Sequence, residues 1–151
     1  MPIATIKKRK PETIEEALRM FCELQWYEVN PSSIASLALE WIIDEIGQYN
    51  IWDIIEERRE QRIRIKIPAF ARMVAYELLR TYKDMTWDKA KPCEDVVKEV
   101  LENSKLYKLL LAVEKEYERE LKDIREEIIH ALMSAYKFSV MESRLAEVVF
   151  E

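Results

Sequence analysis

An all-α fold is what this sequence predicts, and three observations predict it. Rotating Ile67–Lys83 (IPAFARMVAYELLRTYK) at about 100° per residue gathers Phe70, Ala71, Val74, Ala75, Leu78, Leu79 and Tyr82 on one side. Arg72, Tyr76, Arg80 and Lys83 fall together on another. Leu106, Leu110, Val113, Tyr117, Leu121, Ile124, Ile128, Ala131 and Ala135 recur every 3.6 residues or so, the period of a straight helix packed on a core rather than of a supercoiled heptad seam. The whole chain of 151 residues holds one Gly, which leaves few positions for glycine turns. The expected architecture is therefore mainly helical, with at most a small β element near residues 62–68.

The elements follow in order. The first ten residues are basic and uncapped, so residues 1–11 are expected to be a mobile basic arm and residues 12–151 a single helical domain. Thr13–Glu16 (TIEE) is a capping box, opening a helix to about Gln25 through Ile14, Ala17, Leu18, Phe21 and Leu24. After a loop over Trp26–Pro31, Ser32 or Ser33 caps a second helix through Ile34, Leu37, Ala38, Trp41, Ile42 and Ile46, with Gly47 near its end. Asn50 with Asp53 can start a third, ending in the charged run EERREQR. Arg62–Pro68 (RIRIKIP) alternates charge and isoleucine, which predicts a short strand with one wet face. Pro68 then suits the first turn of a helix over Ala69–Lys83. A loop carrying Trp87 leads to Pro92, which opens a helix to about Asn103, and Ser104 starts the long periodic stretch. Ser139–Glu142 resembles another capping box before a short last helix.

Composition narrows the function. Hydrophobic residues make up 49% and charged residues 35%, the balance of an ordered, strongly amphipathic protein. With one Gly, neither a Walker loop nor a dinucleotide fingerprint is possible. The longest apolar runs fall far short of the roughly 20 residues a membrane span needs, and Met1–Lys10 lacks the apolar centre of a signal peptide. A cytoplasmic protein with no membrane partner is expected. Abundant Glu, Lys and Ile with scarce Gly is the composition of a thermophile. The net charge is -5, yet residues 58–91 hold ten Lys or Arg against four acids, a local balance of +6 that leaves -11 for the rest. Such asymmetry points to an anionic partner for the middle of the chain, while the bulk acidity argues against general coating of duplex DNA.

Catalytic chemistry is not visible. Two cysteines, Cys22 and Cys93, with the single His130 cannot complete a structural zinc site without carboxylates, so no metal is expected and both thiols read as buried and free. His130, on the largely apolar IIHALM, reads as a packed or helix-end residue rather than a base. The carboxylates of EKEYERELKDIREE alternate with lysines and arginines at helical spacing, the pattern of surface pairing. The basic stripe of Arg72, Tyr76, Arg80 and Lys83 leaves two readings open. Arginine forks match phosphate oxygens and a tyrosine face can stack on a base or sugar, or else the stripe is an ordinary solvated helix face.

Arg72–Leu79 (RMVAYELL) resembles a helix in the C-terminal domain of the large subunit of archaeal and eukaryotic primases, which carries an arginine followed within a turn by a tyrosine. Asn30–Ile34 (NPSSI) resembles that family's Pro-Pro-Cys plus hydrophobic motif, with serine where an iron-sulfur ligand stands. The resemblance spans Asn30–Lys83, interrupted by an insertion-like segment. Two cysteines cannot hold a four-thiolate cluster, and neither lies in the matching motif. Pro68, Ala69 and Phe70 replace the family's basic residues before the arginine, which leaves Arg64 and Lys66 as the nearest substitutes. The resemblance thus implies this domain without its iron-sulfur cluster, similar in size and composition to stand-alone accessory subunits of archaeal primases.

Such a subunit is non-catalytic and has no cofactor. It joins the catalytic small and large primase subunits and holds the initiating nucleoside triphosphate on a single-stranded DNA template. By that resemblance, Arg72 contacts phosphates, Tyr76 stacks or hydrogen-bonds near the sugar or template, and Asn30 reads a base or ribose edge. Arg64, Lys66 and Arg80 contact phosphate or template. Tyr136 and Lys137 repeat the aromatic-plus-cation pairing and join the site, with packing and a surface salt bridge as the alternative. Two other readings remain: a helical replisome scaffold resembling the GINS proteins, with no nucleotide site, and a small helical subunit of an RNA-guided complex.

Overall fold

The structure is a computed structural model that describes residues 5–23, 31–47, 55–56, 64–65, 67–85, 92–114, 118–144 and 147–151. Six helices dominate these residues: α1 (Ile14–Glu23), α2 (Pro31–Gly47), α3 (Ile67–Met85), α4 (Cys93–Asn103), α5 (Lys105–Glu114) and α6 (Glu118–Arg144). Two small sheets accompany them, a parallel pair of β1 (Thr5–Lys8) with β4 (Glu147–Phe150) and an antiparallel pair of β2 (Ile55–Glu56) with β3 (Arg64–Ile65). The fold is all-α, as the periodicity predicts. Among the described residues no helix is long and apolar enough to cross a membrane.

Helices α2, α3 and α6 pack mutually and form the centre, with α1 laid on α6 and α2. Helix α4 joins α1 to α3, and α5 touches α3, α4 and α6. Helices α1, α2, α3 and α6 turn in most of the residues their spacing singles out, with Leu37, Trp41, Ile46 and Ile124 half-buried. Ile14, Ala17, Leu18 and Phe21 are buried on α1, Ile34, Ala38 and Ile42 on α2, and Ala71, Val74, Ala75, Leu78 and Leu79 on α3. On α6 the buried set is Ile128, Ala131, Leu132, Ala135 and Tyr136, continuing through Ser139 and Val140. Burial of a large apolar side chain is worth roughly 1.5–3 kcal/mol, so this shared stripe outweighs the helix propensities of the individual residues.

Helix ends use the expected chemistry in two places. The Glu16 amide donates to Thr13 Oγ1 at 3.1 Å, so Thr13 caps α1 as expected, while the Glu16 carboxylate accepts from the Glu12 amide at 2.8 Å, one residue before the N-cap position a capping box uses. Ser104 is fully buried, and its Oγ accepts from the Tyr107 amide at 3.1 Å to open α5. A second acceptor reaches α5 from another helix: Glu77 on α3 takes the Lys105 amide at 2.5 Å and the Leu106 amide at 3.3 Å. A carboxylate at a helix N-terminus satisfies orphan donors and matches the macrodipole, so Glu77 binds α3 to α5 at a fixed angle.

Several expectations are corrected. Thr5–Lys8 is a strand rather than part of a mobile arm: Ile6 pairs with Val148, and the backbone ladder continues from the Glu151 amide to the Lys8 carbonyl at 2.9 Å and from the Lys10 amide to the Glu151 carbonyl at 3.2 Å. Parallel strands require a long crossover, and here the whole helical domain is that crossover. Ser139–Glu142 does not cap a separate last helix. The Ser139 hydroxyl donates back to the Tyr136 carbonyl at 2.9 Å inside the continuous α6, and the chain then leaves as β4. Helix α2 begins at Pro31, so Ser32 and Ser33 lie within its first turn instead of capping it. Ile55 and Glu56 are strand where a third helix was expected, because Ile55 pairs with Ile65 of the alternating segment. The remainder of that expected helix, the 26–30 loop and the Trp87 loop lie outside the described residues, as does the join between α5 and α6.

Replacing Glu77 by Ala should lower stability by about 1–2 kcal/mol, read as a shifted urea midpoint, with Glu77→Gln intermediate. An alkaline effect is also expected from Tyr82. Burial first, and then the neighbouring Cys22 and Cys93, push its phenol far above the ordinary tyrosine value. Above pH ~10 the unfolded phenol releases its proton while the folded one keeps it, so the unfolded chain binds fewer protons and stability falls as pH rises. Denaturation of Tyr82→Phe should show a shallower decline above that pH than the parent.

Candidate functional site

The outer side of α3 carries the residues the sequence groups as a stripe. Phe70, Ala71, Val74, Ala75, Leu78, Leu79 and Tyr82 are buried beneath it. Arg72, Tyr76 and Lys83 are half-buried and Arg80 is exposed, one helical turn apart along the same side. Tyr82 locks the rotation of the helix at its C-terminal end, where its hydroxyl donates to the Phe21 carbonyl at 3.2 Å. The stripe therefore stands on a rigid element.

Its members differ in what they are already bound to. Arg72 Nη2 lies 3.7 Å from Glu45 Oε2 of α2, with the two side chains only 18% and 28% exposed. Arg72 Nε is itself buried. The arginine thus ties α2 to α3 before any ligand arrives. Farther along, Arg80 Nη1 donates to Tyr76 Oη at 3.3 Å, which places an exposed guanidinium at the tip of a half-buried phenol. That pair is the part of the stripe open to a partner, and Lys83 follows within a turn.

The other expected contacts separate from it. Tyr136 is a core residue with 0% exposure: its ring meets Phe21 edge-on at 5.5 Å and Phe150 at 6.3 Å. A ligand has no face of it to reach. Lys137 is exposed on the next position of α6, about 100° around the helix, so the two cannot present one surface. The cation over the Tyr136 ring is Lys8 of β1, 5.8 Å from the centroid. Arg64 lies in β3, with its side chain outside the description, and Asn30 and Lys66 lie outside the described residues altogether. His130 is exposed along the middle of α6, neither packed nor at a helix end.

Sequence reasoning missed Glu45 and Lys8. Neither carries a local signal, since each acquires its role only through a neighbour distant in sequence. Among the described residues no group of three or more His, Cys, Asp or Glu stands together in a way that could hold a metal ion. A shallow polar depression of about 280 Å³ is lined by Arg9, Glu12, Glu16 and Arg19, none of them from α3. Its charges are mixed in sign, and the Glu16 carboxylate is engaged by the Glu12 amide.

No family model matches this chain, and neither a curated protein nor a solved structure matches it.

The Arg72 to Glu45 contact can be weighed by a double-mutant cycle on Arg72→Ala and Glu45→Ala. A partly buried pair at this distance should show a coupling of about 0.5–1 kcal/mol in unfolding free energy. A coupling indistinguishable from zero would return Arg72 to the solvated stripe.

Proposed function

We propose that this chain is a non-catalytic subunit of a DNA primase complex, of the kind the accessory subunit PriX represents, that helps hold the initiating nucleotide against the template. The observation that carries the reading is the outward Tyr76 and Arg80 pair on α3, within the segment that resembles the primase helix. The local excess of +6 over residues 58–91 supports it, because an anionic partner would be drawn to that region of an otherwise acidic chain. In this reading Arg80 contacts phosphate as a planar fork and Tyr76 supplies a stacking or hydrogen-bonding surface. Arg72, held by Glu45, supports the start of the stripe.

A second reading is a helical scaffold with no nucleotide site. It is favoured by the internal Arg72 to Glu45 pairing and by Leu109 and Leu111 of α5, which are 48% and 39% exposed.

The test is reconstitution with the catalytic primase subunits, comparing de novo initiation with extension of a supplied primer. Arg80→Ala should weaken initiating-nucleotide affinity by roughly 1.5 kcal/mol, about tenfold, and leave extension near the parent level. Tyr76→Phe should be milder than Tyr76→Ala, since it keeps the ring. Equal loss of both activities, or no loss of either, would favour the scaffold.

A further inference from the structure

Cys22 and Cys93 are the two cysteines of the sequence, 71 positions apart, and the fold brings them together between two helices. Cys22 lies in the last turns of α1, 6% exposed, and Cys93 is the first residue of α4, half-buried behind Pro92. Helices α1 and α4 lie against each other. Each thiol reaches the backbone of the other's helix: Cys22 Sγ is 4.0 Å from the Cys93 carbonyl oxygen, and Cys93 Sγ is 4.0 Å from the carbonyl oxygen of Arg19. Arg19 is one turn before Cys22, so both sulfurs sit in the same seam. The Tyr82 hydroxyl closes the seam from α3, where it bonds the Phe21 carbonyl and senses both thiols. Neither sulfur is part of a disulfide in this arrangement.

We propose that Cys22 and Cys93 are a covalent modification site, an intramolecular disulfide that staples α1 to α4 when the protein meets a low-molecular-weight disulfide. Cys93 is the attacking residue, because it is the more accessible and the amides of the first turn of α4 favour a thiolate there. The Cys93 thiolate attacks one sulfur of the small disulfide, which breaks the S–S bond and expels one small thiolate that takes up the proton Cys93 gave to solvent. A mixed disulfide remains on Cys93. The Cys22 thiol then loses its proton to solvent and attacks the Cys93 sulfur from beneath, expelling the second small molecule as a thiolate that is protonated in turn. Two protein thiols are oxidised to one disulfide, and one small disulfide is reduced to two thiols. The bond closes a long loop containing the whole of α2 and α3, so it constrains the unfolded chain far more than a short loop would.

The test treats the reduced, folded, full-length protein with oxidised glutathione. The expected product is a monomer lighter by two hydrogens, with no titratable thiol after denaturation, no retained glutathione, and a peptide map joining Cys22 to Cys93. Its Tm should rise by an amount on the order of 10 °C, and a reductant should reverse the rise. In Cys22→Ala the reaction should stop at glutathione held on Cys93. Two thiols still titratable after treatment, a disulfide formed only between two chains, or a cross-linked monomer whose Tm falls would each overturn the proposal.

Discussion

Phe21 is the contact on which the rest of the molecule is hung. Its ring lies against Tyr82 of α3 at 6.2 Å and against the edge of Tyr136 of α6 at 5.5 Å, and Tyr136 in turn meets Phe150 of β4. One side chain from a ten-residue helix thereby joins the first helix, the middle and the end of the chain. Aromatic rings bury large areas and prefer tilted or edge-on contact, which limits how each helix can rotate about its axis. With Tyr82 fixed against Phe21, the rotation of α3 follows, and so does the side on which Tyr76 and Arg80 emerge. The residue after Phe21 is Cys22, so the same contact decides where that thiol faces.

Polar groups finish what the aromatic contacts begin. The N-terminus of α5 would present unsatisfied amides between packed helices, and Ser104 and Glu77 accept them, one from the preceding residue and one from α3. The chain ends are held by a different device, the parallel pairing of β1 with β4 beside α6. Two four-residue strands are marginal by themselves. Val148, fully buried against the helices, gives them an apolar anchor, whereas the exposed Lys7 to Glu151 ion pair at 3.7 Å contributes little.

A two-sided helix is a sensible place for a binding surface. The buried side of α3 supplies rigidity and the outer side is left for chemistry, so a residue there can change without disturbing the core. The distribution of partners along the stripe then matters more than its charge. Arg72 is drawn inward to Glu45, and Tyr76 with Arg80 remains outward. A stripe of four residues that are equivalent in sequence becomes a supported pair next to a structural tie.

What the sequence alone determined is the local pattern: the helical class, most of the core-facing residues of α1, α2, α3 and α6, the N-cap at Thr13, the start at Ser104, and the outer position of the α3 stripe. These depend on a 3.6-residue period and on side chains reaching backbone within a few positions, and both are written in consecutive residues. Only the tertiary structure decided that Tyr136 is inside, that Arg72 has Glu45, that Lys8 stands over an aromatic ring, and that two thiols 71 positions apart share a seam. It also made a strand of Thr5–Lys8, whose partner lies at the other end of the chain. Tyrosine, arginine and cysteine suit either a core or a surface, so periodicity leaves them undecided. Their environment is set by which helix faces pack together, and that choice depends on contacts between distant segments rather than on any local spacing.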